Sequence, residues 1–121
     1  MENYSSTPLL HEVLEGIMDA KGLEIVTLDL SEIENAVCDY FIICEGTSNT
    51  HVSAIADSVE RRTREQIQER PWHVEGKEQS EWVLMDYVSI VVHVFQRETR
   101  TFYDLESLWG DAPAERLETK Y

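Results

Sequence analysis

Hydrophobic and polar positions along the chain repeat with two periods. Leu9, Leu10, Val13, Leu14, Ile17 and Met18 recur at helical spacing. After residues 1–7, which are polar and expected to be loose, this predicts a first helix up to about Ala20, with Thr7 as N-cap, Pro8 at the first helical position and Lys21-Gly22 closing it. From Leu23 to Leu30 the period falls to two, with Ile25, Thr27 and Asp29 alternating with Val26, Leu28 and Leu30, the pattern of a strand with one apolar face. Ser31 to Val37 is a polar connector with room for one helical turn, and Asp39 to Cys44 reads as a more thoroughly apolar strand. Gly46-Thr47-Ser48-Asn49 follows at once and ends in residues that favour N-caps. Val52, Ile55, Ala56, Val59 and Ile67 then mark a long amphipathic helix to about Glu69, which Pro71 is expected to stop.

Trp72-His73-Val74 reads as a short third strand before the polar turn Glu75 to Ser80. Glu81 to Phe95 (EWVLMDYVSIVVHVF) then reads as two strands folded back through Asp86-Tyr87-Val88-Ser89, although no Gly is present there to supply positive φ. In the second of these strands Ile90, Val92 and Val94 share one face and Val91, His93 and Phe95 the other, so neither face is a solvated one. One face must meet the protein's own helices. The other needs a cover, for which a partner is a candidate. Trp82 is free to lie on either side.

Gln96 to Trp109 carries Phe102, Leu105, Leu108 and Trp109 at helical intervals, and a polar tail from Gly110, containing Pro113, is expected to fray. The order helix, strand, strand, helix, three strands, helix predicts an α/β fold. We expect a two-layer sandwich with a mixed five-stranded sheet and helices mainly on one face, in one domain over residues 1–121 with a core of about 8–112.

Length agrees with this: 121 residues form one ordinary domain that buries a core without metal or disulfide support. Charge changes the picture more. Twenty-four acidic residues against 10 basic ones give a formal net charge of -14, which opposes extensive contact with phosphate backbones. A role beside RNA would run through a basic protein; otherwise the acidity serves solubility. Cys38 and Cys44 are the only cysteines and lack zinc-site spacing, so they read as buried reduced thiols. No apolar run is long enough for a membrane helix, and the start MENYSST lacks the regions of a signal peptide, from which a cytoplasmic location is expected.

Candidate chemistry is sparse. The Gly46 to Asn49 turn could aim N–H groups at an anion, or simply cap the helix. A strand, a Gly-Thr-Ser turn and a helix also bring nucleotidyltransferases to mind, but those need two carboxylates on one strand face to hold cations, and no Asp-x-Asp follows here. His11, His51, His73 and His93 form no metal-binding pair. His93, inside an apolar strand, is either a satisfied core residue or a partner contact. Arg61, Arg62, Arg64 and Arg70 read as an exposed face paired with Glu60, Glu65 and Glu69. The aromatics Trp82, Tyr87, Phe95, Tyr103 and Trp109 are candidate interface anchors or core residues.

Three segments carry a resemblance: DYFIICEGTSNTHVSAIADSVE (Asp39 to Glu60), EWVLMDYVSIVVHVFQ (Glu81 to Gln96) and TRTFYDLESLWGDAP (Thr99 to Pro113). From about Pro8 to Pro113 the chain resembles the ribosomal silencing factor family, RsfS in bacteria and Iojap in plastids. The resemblance implies a non-enzymatic translational repressor that binds the large ribosomal subunit through the basic ribosomal protein uL-fourteen and blocks docking of the small subunit. It also implies a nucleotidyltransferase-like fold without the catalytic carboxylates, no cofactor or metal, little direct RNA contact, no membrane and a homodimer when free.

Residue by residue, Trp82 and Asp86 match the family's Trp-x-x-x-Asp, His93 and Phe95 its His-x-Phe, and Tyr103 through Trp109 its Tyr-x-Leu-Glu-x-Leu-Trp. With Met85 and Tyr87 of the hairpin, the expected partner-binding set is Trp82, Met85, Asp86, Tyr87, His93, Phe95, Tyr103 and Trp109. Many members have Gly where this chain has Val88, so the hairpin turn is a place to look for altered geometry. Two further readings stand beside this one: a nucleotide transferase using the Gly46 to Asn49 turn, and a dimerisation module whose sheet face pairs only with itself.

Overall fold

The computed structural model describes residues 7–121; all but the last residue of the segment 1–7, expected to be loose, lies outside the described residues. In chain order the elements are α1 (Pro8–Asp19), β1 (Leu23–Asp29), β2 (Tyr40–Gly46), α2 (Asn49–Ile67), β3 (His73–Glu75), β4 (Trp82–Asp86), β5 (Ile90–Gln96), α3 (Arg97–Tyr103), the single turn α4 (Leu105–Leu108) and β6 (Ala114–Arg116). They build one mixed sheet in the order β3-β4-β5-β2-β1-β6. Only the central pair β2 and β5 is parallel; the other neighbours are antiparallel.

The sheet has six strands, not the expected five. The extra one is β6, in the tail expected to fray. Its residues are all exposed, so they carry no apolar signal; what binds them is main-chain pairing with the β1 edge. The segment continues as a strap, with the Leu117 N–H donating to the Ile25 carbonyl at 2.9 Å and the Tyr121 hydroxyl to the Gly22 carbonyl at 2.6 Å.

The helices form for the reasons their sequences give. At the start of α2 the His51 N–H donates to the Ser48 hydroxyl at 3.1 Å, a side-chain cap. The helix ends at Ile67, where Gln68 takes the left-handed conformation (φ 55°) and donates to the Arg64 carbonyl. Pro71 lies beyond that end and does not cause it. At the start of α1, Thr7 occupies the cap position without a side-chain bond. Lys21, not Gly22, takes the left-handed conformation after that helix.

α1 and α2 pack on each other closely enough that a Cβ at Gly16 would stand 2.8 Å from the Val59 Cα. The Ser58 hydroxyl donates to the Gly16 carbonyl at 2.7 Å across this contact. Arg62 of α2 pairs with Glu12 at 2.7 Å and Asp19 at 3.1 Å on α1, where sequence spacing pointed to partners within α2.

The expected alternation in β5 holds. Ile90, Val92 and Val94, with Ile42, Cys44, Val83 and Met85, face α1 and α2 in one core. Val91 and Phe95, with Val26, Leu28, Phe41 and Ile43, form a second core on the opposite face. That second face is covered by the chain itself, through Ile33, Ala36 and Cys38 of the β1–β2 connector and Leu105 and Trp109 around α4. The expected single helix from Gln96 to Trp109 is broken at Asp104 (φ 51°), and this break turns Leu105 and Trp109 inward.

Candidate functional site

On β4 the side chains alternate, with Val83 and Met85 buried and Trp82, Leu84 and Asp86 half-buried. Pairing of Trp82 with Phe95, Leu84 with His93 and Asp86 with Val91 puts the second set on the face away from α1 and α2. Trp82 therefore shares a face with His93 and Phe95, the point that sequence alternation left undecided. Of the eight expected partner contacts, Met85 and Tyr87 are on the other side. Met85 is buried against the helices, and Tyr87 points its hydroxyl to Thr63 of α2 at 2.9 Å. Strand period two sends Met85 inward, and the reversal after Asp86 carries Tyr87 with it.

Five of the remaining six, all but Asp86, lie with Phe102 and Phe41 in a continuous aromatic track. Phe102 meets Tyr103 edge-on (5.0 Å between centroids), and Tyr103 packs on Trp82 (4.6 Å). Trp82 covers Phe95 (4.9 Å) and His93 (5.9 Å). His93 meets Phe41 (4.6 Å), which in turn meets Trp109 (5.8 Å). The middle of the track is buried, with His93 3% exposed and Phe95 completely covered; these two support the surface without presenting themselves. The ends are open. Phe102 is 80%, Leu108 73% and Tyr103 50% exposed, a high value for three apolar side chains close in sequence. Phe102 and Leu108 were expected at helical intervals with Leu105 and Trp109 in one helix. The break at Asp104 reverses their phase, and the signal that could have found it is the Tyr-Asp-Leu sequence, where Asp tolerates the left-handed conformation.

A shallow groove beside Trp82 and Tyr103 is lined by Gly76, Gln79, Glu81 and Thr99. Gly76 has φ 90°, and a Cβ there would stand 2.0 Å from the Trp82 carbonyl oxygen, so only glycine lets the β3–β4 turn close against β4.

The platform carrying Phe102 and Tyr103 is fixed by an ion network that sequence reading missed. Arg100, buried in α3, donates to the Glu24 carbonyl at 2.7 Å, to Glu45 at 3.1 Å and to Glu106 at 2.8 Å. Glu45, at the end of β2, also accepts from Arg97 at 2.7 Å. One buried guanidinium thus ties α3 and α4 to two strands.

Among the described residues His93 has one polar partner. The indole N–H of Trp82 donates to His93 Nδ1 at 3.1 Å. Indole is only a donor, so Nδ1 carries the lone pair and the proton sits on Nε2, which is buried without a partner. Burial pushes the imidazole down to about 4, so it is neutral at physiological pH. Asp86 uses one carboxylate oxygen within its own turn, accepting from the Val88 N–H at 2.8 Å.

The other candidates resolve as structural groups. At the Gly46 to Asn49 turn the Thr47 N–H donates to His51 Nδ1 at 3.0 Å, and His51 Nε2 reaches the Ala20 carbonyl at 2.9 Å, so these donors serve the fold. Burial raises the thiols of Cys38 to about 11 and Cys44 to about 12. Among the described residues no group of three or more His, Cys, Asp or Glu side chains could hold a metal ion, and no helix is long and apolar enough to cross a membrane.

The sequence model of a family described as "Ribosomal silencing factor during starvation" matches residues 3–120. The ribosomal silencing factor RsfS of Halalkalibacterium halodurans is 40% identical over 94% of this chain and 96% of its own length. That of Bacillus subtilis is 42% identical over 83% of each. A mitochondrial Iojap-related protein of Arabidopsis thaliana is 30% identical over 91% of this chain and 61% of its own length. Among solved structures, a protein from Chromobacterium violaceum superposes with TM-score 0.80 at 34% identity, covering 90% of this chain and 88% of that one.

Proposed function

The chain belongs to the ribosomal silencing factor family, and from that premise we propose that it represses translation by binding the large ribosomal subunit and excluding the small one. The docking partner is the basic ribosomal protein uL-fourteen, with little direct RNA contact. The contact surface is the open end of the aromatic track, Trp82, Tyr103 and Phe102, continued at the far end by Trp109 and Leu108. The observation that carries this reading is the placement of these residues on the face opposite α1 and α2, where the family's Trp-x-x-x-Asp and Tyr-x-Leu-Glu-x-Leu-Trp residues converge.

Aromatic anchors supply most of the affinity in such an interface, while charge speeds and orients the encounter. Glu81 beside Trp82 and Asp104 beside Tyr103 are exposed and place negative charge at the rim, in line with a net charge of -14. Asp86, half-buried on the same face, is the third carboxylate of the set. Repression needs only excluded volume, so no catalytic group, cofactor or metal enters the mechanism.

The nucleotidyltransferase-like description of the fold belongs to the same reading; its support is the Gly46-Thr47-Ser48 turn between β2 and α2. A homodimer of the free protein would cover the exposed aromatic end, and a ribosome-directed role is a cytoplasmic one. The test is a sucrose gradient: purified protein should shift joined ribosomes towards free subunits. Trp82→Ala should lose both the shift and co-sedimentation with large subunits. Undisturbed subunit joining at saturating protein overturns the reading, and undiminished co-sedimentation of Trp82→Ala removes this face from it.

A further inference from the structure

The aromatic face contains a polar residue that packing alone does not account for. His93 fills its site among Phe41, Phe95 and Trp82, and its Nε2–H is buried with no acceptor among the described residues. A buried donor left unmade costs stability, and an aliphatic side chain would occupy the same space without that cost. What the imidazole alone supplies is the Nδ1 lone pair on which the Trp82 indole N–H rests at 3.1 Å. Tyr103 and Phe95 both pack against the Trp82 ring, at 4.6 and 4.9 Å, yet neither offers the indole nitrogen an acceptor. Ring packing restricts the tilt of the indole; the hydrogen bond selects which edge points down into the sheet and which is shown to solvent.

Building on the docking reading above, we propose that His93 is a positioning residue: it fixes the rotamer of Trp82 through Nδ1 and so preorganises the anchor that docks on the ribosome. A rotamer fixed in the free protein does not have to be ordered on binding, and that saving appears directly as affinity.

The positioning is read in the free protein by the indole N–H resonance of Trp82 in a two-dimensional nitrogen–proton spectrum. The signal is distinguished from those of Trp72 and Trp109 by its loss in Trp82→Phe. His93→Leu keeps the packing and removes the acceptor; His93→Asn returns a carbonyl oxygen near the position of Nδ1. In His93→Leu the Trp82 signal should move and exchange faster with solvent, and affinity for isolated large subunits should fall about five- to tenfold, the net worth of one hydrogen bond. In His93→Asn both should return towards the parent. Trp82→Phe, which keeps a ring and loses the N–H, should weaken binding by a similar factor, and His93→Leu on top of it should add almost nothing.

An unchanged Trp82 signal in His93→Leu overturns the inference, as do additive losses in the double variant. A moved signal with unchanged subunit affinity also overturns it, provided Trp82→Ala still weakens binding. Undiminished binding of Trp82→Ala overturns the docking face itself, an outcome separable from the others because the spectrum is recorded without ribosomes.

Discussion

Val88 is held at φ 77°, in the left-handed region where a β-branched residue is an outlier. The turn around it is closely bonded. Asp86 Oδ1 accepts from the Val88 N–H at 2.8 Å, the Ser89 N–H donates to the Tyr87 carbonyl at 3.0 Å, and the Tyr87 N–H donates to the Ile90 carbonyl at 2.8 Å. The Ser89 carbonyl accepts from Asp39 and Tyr40, so the turn is docked on the start of β2 and cannot relax alone.

Val88→Gly should therefore stabilise the protein. Strain of this kind costs about 2–3 kcal/mol for a branched side chain. Against its relief stands the added freedom of glycine in the unfolded chain, about 0.5–1 kcal/mol. Val88 is 57% exposed, so the lost burial is under half of the roughly 1.5 kcal/mol for a full valine, about 0.6 kcal/mol. The net is a gain of about 1 kcal/mol, or a rise in Tm of about 3–5 °C for a domain of this size. Urea unfolding should show a higher midpoint with an unchanged slope. Val88→Asn, which tolerates the left-handed region better than valine, should fall between the two. A lower Tm for Val88→Gly would refute the reasoning, since the valine's packing would then outweigh its backbone strain.

Three further outcomes follow from the same structure. Arg100→Met should lower stability by about 3 kcal/mol in chemical denaturation, because it leaves the Glu45 carboxylate buried with only the exposed Arg97 as partner; a loss below 1 kcal/mol would mean the network is already hydrated. His93 is neutral when folded, at about 4, against 6.5 when unfolded, so the unfolded chain binds more protons between those values. The histidine's contribution to stability is thus present above pH 6.5 and is lost as pH falls to about 4, by roughly 3 kcal/mol in all. The parent should lose that amount of stability relative to His93→Leu as pH falls through this window, and a constant difference would contradict the burial of the ring. Gly16→Ala should destabilise by about 1–3 kcal/mol, because its Cβ meets backbone at Val59 rather than a movable side chain; an unchanged urea midpoint would show that α1 can slide.

The sequence alone determined the periodic elements. α1, α2 and the strands β1, β2, β4 and β5 were legible because each must bury an apolar face, and period 3.6 or 2 records that requirement position by position. The two-sided burial of β5 was legible for the same reason, and three motifs carried the family. Tertiary structure decided what no local pattern records. β6 is held by main-chain bonds to an edge, which leave no mark on side chains. The network of Arg100 with Glu45 and Glu106 draws in Glu45 from 55 positions away. The break at Asp104 sets which of Phe102, Leu105, Leu108 and Trp109 face out. Pairing register, through Trp82 opposite Phe95, put the tryptophan on the face of His93, while strand alternation and the reversal sent Met85 and Tyr87 to the other. A residue's exposure depends on what its neighbours cover, and those neighbours are assembled only by the fold.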